Sequence, residues 1–474
     1  MPPADAQTRY AWRVLTVTSL GVLLAAANTS TLDVALPVVA RHFKASASAA
    51  SWTLLSYMLV NTVLILVFGR LADIVGRRRL YLIGLATLTA ASLACGFAPS
   101  IVWLDVLRGV QAVGAAAIIT NTTAQLTDAF PRRLLATALG LNVAVASAAQ
   151  VIGPVIGGAM ASSWGWRAVF WFNVPTGVVG LVWARLSLHR ALQRPSSERF
   201  DVLSGALSVG VLGGPVLALS EGGALGWTSL PVLVGVAVFV VTTPVFILMQ
   251  IHRRDPLLDL RLFANRERSA AYVAAFLLSL ARFALVLLVA LYLQAARGLD
   301  PFGAGIRVIP VALGMMIASP LVGRLVTRSS ARVLSTSGLV LTGIGLVGLA
   351  SRLRPATSDV ELALWLGLIG VGTGVFMTPN TNAIMSTVDP ARRGIANGVR
   401  SMMQNSGYVV SVALSLGIVT SALPRDEKRE AYAGTLSRLG PTSLAHLTHG
   451  YHVALYVLAG TTVLGAAVSL ARSS

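Results

Sequence analysis

The chain has 474 residues, 55% of them hydrophobic and only 12% charged, which excludes an ordinary soluble domain, where about a quarter of residues are charged, and indicates an integral membrane protein. The net charge of +19, from 37 basic and 18 acidic side chains, would suggest nucleic acid in a soluble chain; here short basic loops held on one face of a membrane account for it, and no nucleic-acid partner is expected. The single cysteine, Cys95, lies in an apolar run and excludes an intramolecular disulfide or a cysteine metal cluster, and neither a metal nor a cofactor is expected.

A membrane-spanning helix needs roughly 20 mostly apolar residues. Fourteen stretches meet that measure: 12–36, 50–69, 79–98, 101–124, 136–161, 167–187, 201–220, 230–251, 269–294, 303–326, 331–350, 361–386, 394–423 and 450–471. The expected fold is all-α and integral to the membrane, with 14 transmembrane helices. Arg9 and Arg13 before Val14–Leu24 and a run of alanines imitate a cleavable signal. The apolar run continues to Leu36, however, and reads as the first span. With the N-terminus inside, inner segments hold 23 basic residues and outer loops 11, four of these in the long loop 424–449. Short loops rich in arginine stay in the cytoplasm, so both termini are expected there, in a multi-pass protein of the cell (inner) membrane.

The loop between the second and third spans, 69–84, reads GRLADIVGRRRLYLIG. The inside rule explains Arg77, Arg78 and Arg79 but not Asp73 or the glycines. A carboxylate at the C-terminal end of a helix is opposed by the helix dipole, so Asp73 needs an arginine or the start of another helix. A worn copy, GRLVTRSSARVLSTSG, stands at 323–338, an offset of 254, with Thr327 where Asp73 stood. PRRLLATALG (131–140) and ARRGIANGVR (391–400) echo each other at an offset of 260. Two six-helix bundles, 1–190 and 261–474, are therefore expected to be related by an internal repeat, with an inserted two-helix hairpin in 191–260. An inserted pair leaves the two halves parallel.

The 69–84 loop resembles the signature loop of the major facilitator superfamily of secondary transporters. The 6+2+6 layout resembles its fourteen-span drug:proton antiporter family, as do DVALP (33–37), WGWRAVFWFNVPTG (164–177), LALSEG (217–222) and LYLQ (291–294) in that order. The resemblance implies a conformational switch at Gly69, Asp73, Gly76, Arg77 and Arg78. In it Asp73 engages Arg77 and the start of the thirteenth span near Gly394 when the cytoplasmic side is closed. LRGVQAVGAA (107–116) is similar to the superfamily's R-x-x-Q-G-x-G pattern, with Ala112 replacing one glycine, and the family assigns its arginine, here Arg108, to proton transfer. QVIGPVIGGAM (150–160) resembles the antiporter element, in which Gly153, Pro154, Gly157 and Gly158 imply a tight, kinked seam between the halves. Ala149 replaces a further glycine. An aspartate usually sits nine residues before the proline of the VALP element; Asn28 stands there instead, and Asp33 occupies a position usually held by asparagine.

An arginine at the centre of a membrane helix costs about 2.5–3.5 kcal/mol on insertion scales and needs a reason. For Arg108 that reason is proton coupling or a salt bridge to Asp105, one turn away at i, i+3. With outer ends at Leu36 and Ile101, Asp33 and Asp105 lie roughly 5–6 Å below the surface and Arg108 and Asn28 roughly 10–12 Å. Two carboxylates near one arginine do not both ionise comfortably, so one of them, Asp33 by preference, is expected to carry a proton. Asn28, Tyr57, Arg282, Arg400, Gln404 and Asn405 are candidates to line the cavity, Arg400 and Gln404 sharing a face with Ser411. Phe276, Phe283, Phe376 and Tyr408 are further aromatic candidates. Pro379, in MTPNTNAIM (377–385), is expected to break its helix.

These readings predict proton-coupled efflux of small amphipathic compounds (drugs, dyes or an endogenous antibiotic) by alternating access, in a monomer whose partners are substrate, protons and lipid. A metabolite exporter, or a facilitator without proton coupling, is the alternative given Asn28. A membrane-embedded enzyme or a receptor fits less well, since no acid–histidine cluster gathers on one face and the intramembrane ions and internal repeat favour transport. No G-x-x-x-x-G-K-[ST] motif occurs, which disfavours an ATP-driven pump. Cysteines placed in 70–79, 185–200 and 253–268 of a Cys95-free variant are expected to react with an impermeant thiol reagent only from the cytoplasmic side, and cysteines in 424–449 only from outside. Labelling of the two termini from opposite sides would refute the fourteen-span count.

Overall fold

The computed structural model describes residues 4–188, 202–253, 258, 260–325, 329–388, 393–424, 427–428, 432 and 441–472. The domain boundary expected at 190/191 and the loop arginines 190, 194, 199, 254, 328 and 392 lie outside the described residues, as do the outer arginines 425, 429 and 438. The helices are α1 (Ala4–Phe43), α2 (Ala47–Val75), α3 (Arg77–Cys95), α4 (Ile101–Ala129), α5 (Arg132–Trp164), α6 (Trp166–Trp171), α7 (Asn173–Ser187), α8 (Val202–Leu225) and α9 (Leu230–His252). They continue with α10 (Arg266–Arg297), α11 (Pro301–Arg307), α12 (Ile309–Leu325), α13 (Ala331–Arg352), α14 (Asp359–Ser386), α15 (Arg393–Ser421) and α16 (Pro441–Leu470). Among the described residues 13 stretches are long and apolar enough to cross a membrane. The long helix α3 falls outside that set because its first turn is Arg77, Arg78 and Arg79.

The starts of several helices follow from the sequence. Side chains of Ser46, Ser100, Asn265, Asp300, Ser330 and Ser358 accept from backbone N–H groups three residues on, satisfying donors that a first helical turn leaves open. Gly76 joins α2 to α3 at φ 96°, a conformation that side-chain-bearing residues rarely adopt. Two expected spans are divided. The break between α6 and α7 falls at Phe172, between Pro175 and the carbonyl of Trp171 that it cannot serve; the break at Val308 likewise precedes Pro310. The expected break at Pro379 does not occur: α14 runs unbroken from Asp359 to Ser386. A proline removes one hydrogen bond, and Asn380 beside it donates to the Ala271 carbonyl, holding this stretch of α14 against α10.

In the first half α1 packs on α4, α5 and α7, α2 packs on α4, and α3 packs on α4 and α7. In the second half α10 packs on α14, α15 and α16, α12 packs on α14, and α13 packs on α14 and α16. Between them α5 meets α11 and α12, α1 meets α10 and α11, and α2 meets α15. The α8–α9 hairpin lies along this seam, α8 touching both α2 and α15. α9 exposes Leu233, Val240, Val241, Leu248 and Ile251, a surface suited to lipid.

Consecutive helices cross backbone to backbone at paired glycines. Gly84 faces Gly114 where α3 meets α4, Gly214 faces Gly235 where α8 meets α9, and Gly338 faces Gly372 where α13 meets α14. A Cβ on either member would stand 2.6–2.9 Å from the other's carbonyl oxygen, closer than packing allows. The seam between halves is equally tight. A Cβ at Gly158 would lie 2.5 Å from the Pro301 carbonyl oxygen, and one at Gly305 would lie 2.5 Å from that of Pro154. Gly153 and Gly157 meet Ser30 and Thr31 of α1, within their own half.

Gly158→Val is expected to force α5 from α11 at a cost of about 1–3 kcal/mol. Labelling of Val34→Cys, which is fully buried, should then rise at least about five-fold in a Cys95-free background. Unchanged labelling would show that this contact does not hold the seam shut.

Candidate functional site

Arg108 sits two turns into α4 and is completely buried. Its Nε donates to the Thr53 carbonyl at 3.2 Å, and its Nη1 donates to Gln111 Oε1 at 2.7 Å and to Asn28 Oδ1. The guanidinium lies over the Tyr57 ring, 4.3 Å from its centroid. Gln111 in turn donates to Ser92 Oγ at 2.7 Å, so the cluster ties α1, α2, α3 and α4 together. Hydrogen bonds to a charged group contribute about 1.5–3 kcal/mol each, enough to offset the burial of this cation.

Several polar atoms beside it lack partners. Arg108 Nη2, Asn28 Nδ2, Asp33 Oδ1, Thr31 Oγ1 and Asp105 Oδ1 are buried without hydrogen bonds. Asp33 is 5% exposed and lies within electrostatic range of Arg108 and Tyr408. Among the described residues no ion pair or hydrogen bond joins Arg108 to Asp105 or Asp33, so the salt-bridge alternative at i, i+3 is not formed. α1 continues to Phe43, ten residues or about 15 Å beyond Asp33. Asn28 is the residue of α1 that meets Arg108, and Asp33 lies about 7–8 Å outward of it.

In the second half Arg400 Nη1 donates to Gln404 Oε1 at 2.7 Å, and Gln404 Nε2 points to Met377 Sδ at 3.4 Å. Asn405 is half-buried beside them. Arg282 is half-buried, its Cζ 4.1 Å from the centroid of Phe283. Phe283 stacks on Tyr408 at 4.3 Å with a 21° interplanar angle. Two cavity candidates are corrected. Ser411 is wholly buried, donating to the Leu280 carbonyl at 2.6 Å and accepting from Ala284 N–H at 3.1 Å, because the two helices approach too closely there for a cavity. Phe376 is likewise fully buried, beside the Gly338 crossing. Phe276 is partly buried against the core.

At the 69–84 loop, Arg77 pairs with Asp128 at 2.6 Å. Arg78 donates to the Leu188 and Arg185 carbonyls at 2.7 and 3.2 Å, closing the end of α7. The side chains of Gly69's neighbours Arg70 and Asp73, and the surroundings of Gly69 and Gly394, lie outside the described residues.

Sequence reasoning missed three buried charged residues among those described, Glu221, Arg472 and Glu427, the last accepting from Ser443 Oγ at 2.6 Å. Glu221 in LALSEG is 7% exposed and accepts from Ser48 Oγ at 2.6 Å and Trp52 Nε1 at 2.7 Å, anchoring α8 on α2; an acid closing an apolar span was the available signal. Arg472, counted with the inner loops, is 2% exposed and donates to Asn380 Oδ1 at 2.6 Å. Burial pushes its guanidinium down to about 10, with Glu267 acting in the opposite sense.

The described hydrogen bonds between the two halves all lie at the end where α1 finishes. Gln294 donates to the Val34 carbonyl at 2.9 Å, Ser162 to Asp300 Oδ2 at 3.1 Å, Phe302 N–H to Ser162 at 3.4 Å, and Ser51 to Tyr432 at 3.0 Å.

Known proteins share this plan. The pattern of the Major Facilitator Superfamily matches residues 18–252 and 271–472. The multidrug resistance protein Stp of Mycobacterium tuberculosis is 34% identical over 409 residues, 86% of this chain and 75% of that protein. The tetracenomycin C resistance and export protein of Streptomyces glaucescens is 28% identical over 97% of this chain and 85% of its own. The riboflavin transporter RibZ of Clostridioides difficile is 28% identical over 89% and 91%. Among solved structures, a bacterial homologue of the human lysosomal transporter Spinster superposes with a TM-score of 0.69 at 16% identity, covering 99% of this chain and 97% of that one, a likeness of fold.

Proposed function

The chain belongs to the Major Facilitator Superfamily, whose members here are transporters rather than enzymes, and from that premise we propose that it exports small amphipathic compounds across the cell membrane in exchange for protons. In this reading it is a monomer of the fourteen-span drug:proton antiporter family with both termini in the cytoplasm. Two bundles, 1–190 and 261–474, rock about the central site, and the hairpin within 191–260 fills the seam. The matching packing partners of α1 and α10, and of α4 and α14, support the repeat. The relatives named for multidrug resistance and for tetracenomycin C resistance and export support efflux.

The observation that carries the proposal is a fully buried arginine beside two carboxylates that each leave an oxygen unpaired. Asp33 is the proton carrier: it is nearly inaccessible, lacks an ion pair, and lies next to a cation already committed to Asn28, Gln111 and Thr53. Protonation removes a charge that low-dielectric surroundings disfavour. The close seam at Gly158 and Gly305 limits leakage during exchange, and cross-half hydrogen bonds at the outer end fit a carrier closed to the outside. A second reading, a facilitator without proton coupling, is favoured by one contact: Arg108 meets the neutral Asn28. The relative RibZ, a transporter named for riboflavin, supports the alternative of a metabolite exporter.

In proteoliposomes with an imposed pH gradient, Asp33→Asn is expected to abolish substrate-driven proton movement while preserving exchange of substrate at equal pH. Normal coupling in Asp33→Asn with loss in Asp105→Asn moves the role to Asp105, and normal coupling in both rejects a proton site here. Asp73 acts as the cytoplasmic switch, engaging Arg77 and the start of α15 when that side closes. Asp73→Asn should therefore slow transport several-fold without reducing insertion; wild-type rates in a well-inserted variant would remove the switch role.

A further inference from the structure

The helices of the second half are electrically one-sided. Their acidic residues are Glu267, Asp359 and Glu361, each within a first turn, and their interiors hold Arg282 and Arg400 without any aspartate or glutamate. Arg282 lies about midway along α10 and forms no ion pair or hydrogen bond among the described residues. Its Cζ lies 4.1 Å from the centroid of Phe283, which stacks on Tyr408, and Tyr408 is within electrostatic range of Asp33, Arg108 and Tyr57 of the first half. The guanidinium thus borders the space between the bundles.

The surface beside it is flat, aromatic and fixed in place. Phe283 and Tyr408 stack at 4.3 Å, and both are half-buried, so each leaves part of its surface uncovered. Helices α10 and α15 are pinned on both sides of Tyr408. On one side a Cβ at Gly407 would lie 2.5 Å from the Phe276 carbonyl oxygen. On the other, Ser411 Oγ bridges the Leu280 carbonyl and the Ala284 N–H, the two groups that one turn of α10 would pair. That turn carries Arg282 and Phe283, and a side chain inserted into a helical ladder opens the turn and redirects the residues on it.

We propose that Arg282, Phe283 and Tyr408 form a binding site for planar aromatic anions, with the ring system against the Phe283–Tyr408 pair and the carboxylate or phenolate on the Arg282 guanidinium. A guanidinium offers forked donors suited to such a group, and among the described residues no acidic side chain of the second half pairs with it. A cationic aromatic compound meets repulsion from Arg282 and Arg400 and finds its nearest acids, Asp33 and Asp105, beside the buried Arg108. The site rests on the reading of the chain as a small-molecule transporter and deepens it by naming the substrate class. It requires neither proton coupling nor a direction of transport.

The test is equilibrium binding to the full chain in lipid nanodiscs at pH 7.5, without any gradient, using two dyes with a shared xanthene ring: anionic fluorescein and cationic rhodamine 6G. Wild-type protein is expected to bind fluorescein at least ten-fold more tightly. Arg282→Gln should weaken fluorescein at least ten-fold and leave rhodamine 6G unchanged or tighter. Arg282→Lys should weaken fluorescein less than Arg282→Gln does, since the charge remains while the forked donors are lost. Tyr408→Leu should weaken fluorescein through loss of the stacking face. Tighter binding of rhodamine 6G, binding of neither dye, or indifference of fluorescein to Arg282→Gln overturns the proposal. If Arg282→Gln does not fold, the wild-type preference and the Tyr408→Leu result decide. Fluorescein binding as expected, together with normal coupling in Asp33→Asn and Asp105→Asn, would leave this site standing while the proton mechanism fails.

Discussion

Arg108 is enclosed by protein on every side. A guanidinium at this depth must find its acceptors in the protein, and they come from three places at once: the backbone of α2, a side chain of α1 and its own helix. Each acceptor fixes one helix against another, and Gln111 passes the constraint on to Ser92 of α3. The register of the first four helices is therefore set by one cation. Because Asn28 is neutral, it leaves the charge of that cation uncompensated, and the unpaired oxygens of Asp33 and Asp105 lie close by.

Much of this was legible in the sequence. Long apolar runs give the spans because a bilayer admits few other structures, and Arg108 and Arg282 stood out as charges within such runs. The tight approach of α5 at Gly158 and Pro154 was also readable, since small residues in a membrane helix mark where a neighbour comes close. The partners were not readable. Arg108 has an acid one turn away and ignores it for Asn28, eighty positions back in the chain. Ser411 sits on the face of Arg400 and Gln404, yet packs into α10, bonded to the Leu280 carbonyl and the Ala284 N–H. Pro379 has the composition of a break but lies where α10 grips α14 through Asn380. Periodicity reports which face a residue occupies, and tertiary packing decides what meets that face.

The hairpin α8–α9 illustrates the difference between occupying a seam and closing it. Glu221 accepts from two donors on α2, and Lys428 donates to the Gly223 carbonyl at 2.7 Å at the end of α8. These contacts fix the C-terminal end of α8 to both halves. Along α9, by contrast, the apolar side chains point away from the protein. The pair α8–α9 thus joins the two halves at one end and exposes an apolar flank.

The three glycine crossings bear on how the chain assembles. Each joins helices that follow one another directly: α3 with α4, α8 with α9, α13 with α14. The loops between them are short, so little entropy is lost in closing them, and a contact made by backbone against backbone immobilises no side chain. These three hairpins are complete once their second helix has entered the bilayer. Contacts such as α1 with α5, or α5 with α11, wait for distant sequence to be made. Biogenesis can then proceed from three prefabricated pairs, one in each half and one between them, onto which the long-range packing around Arg108 is built.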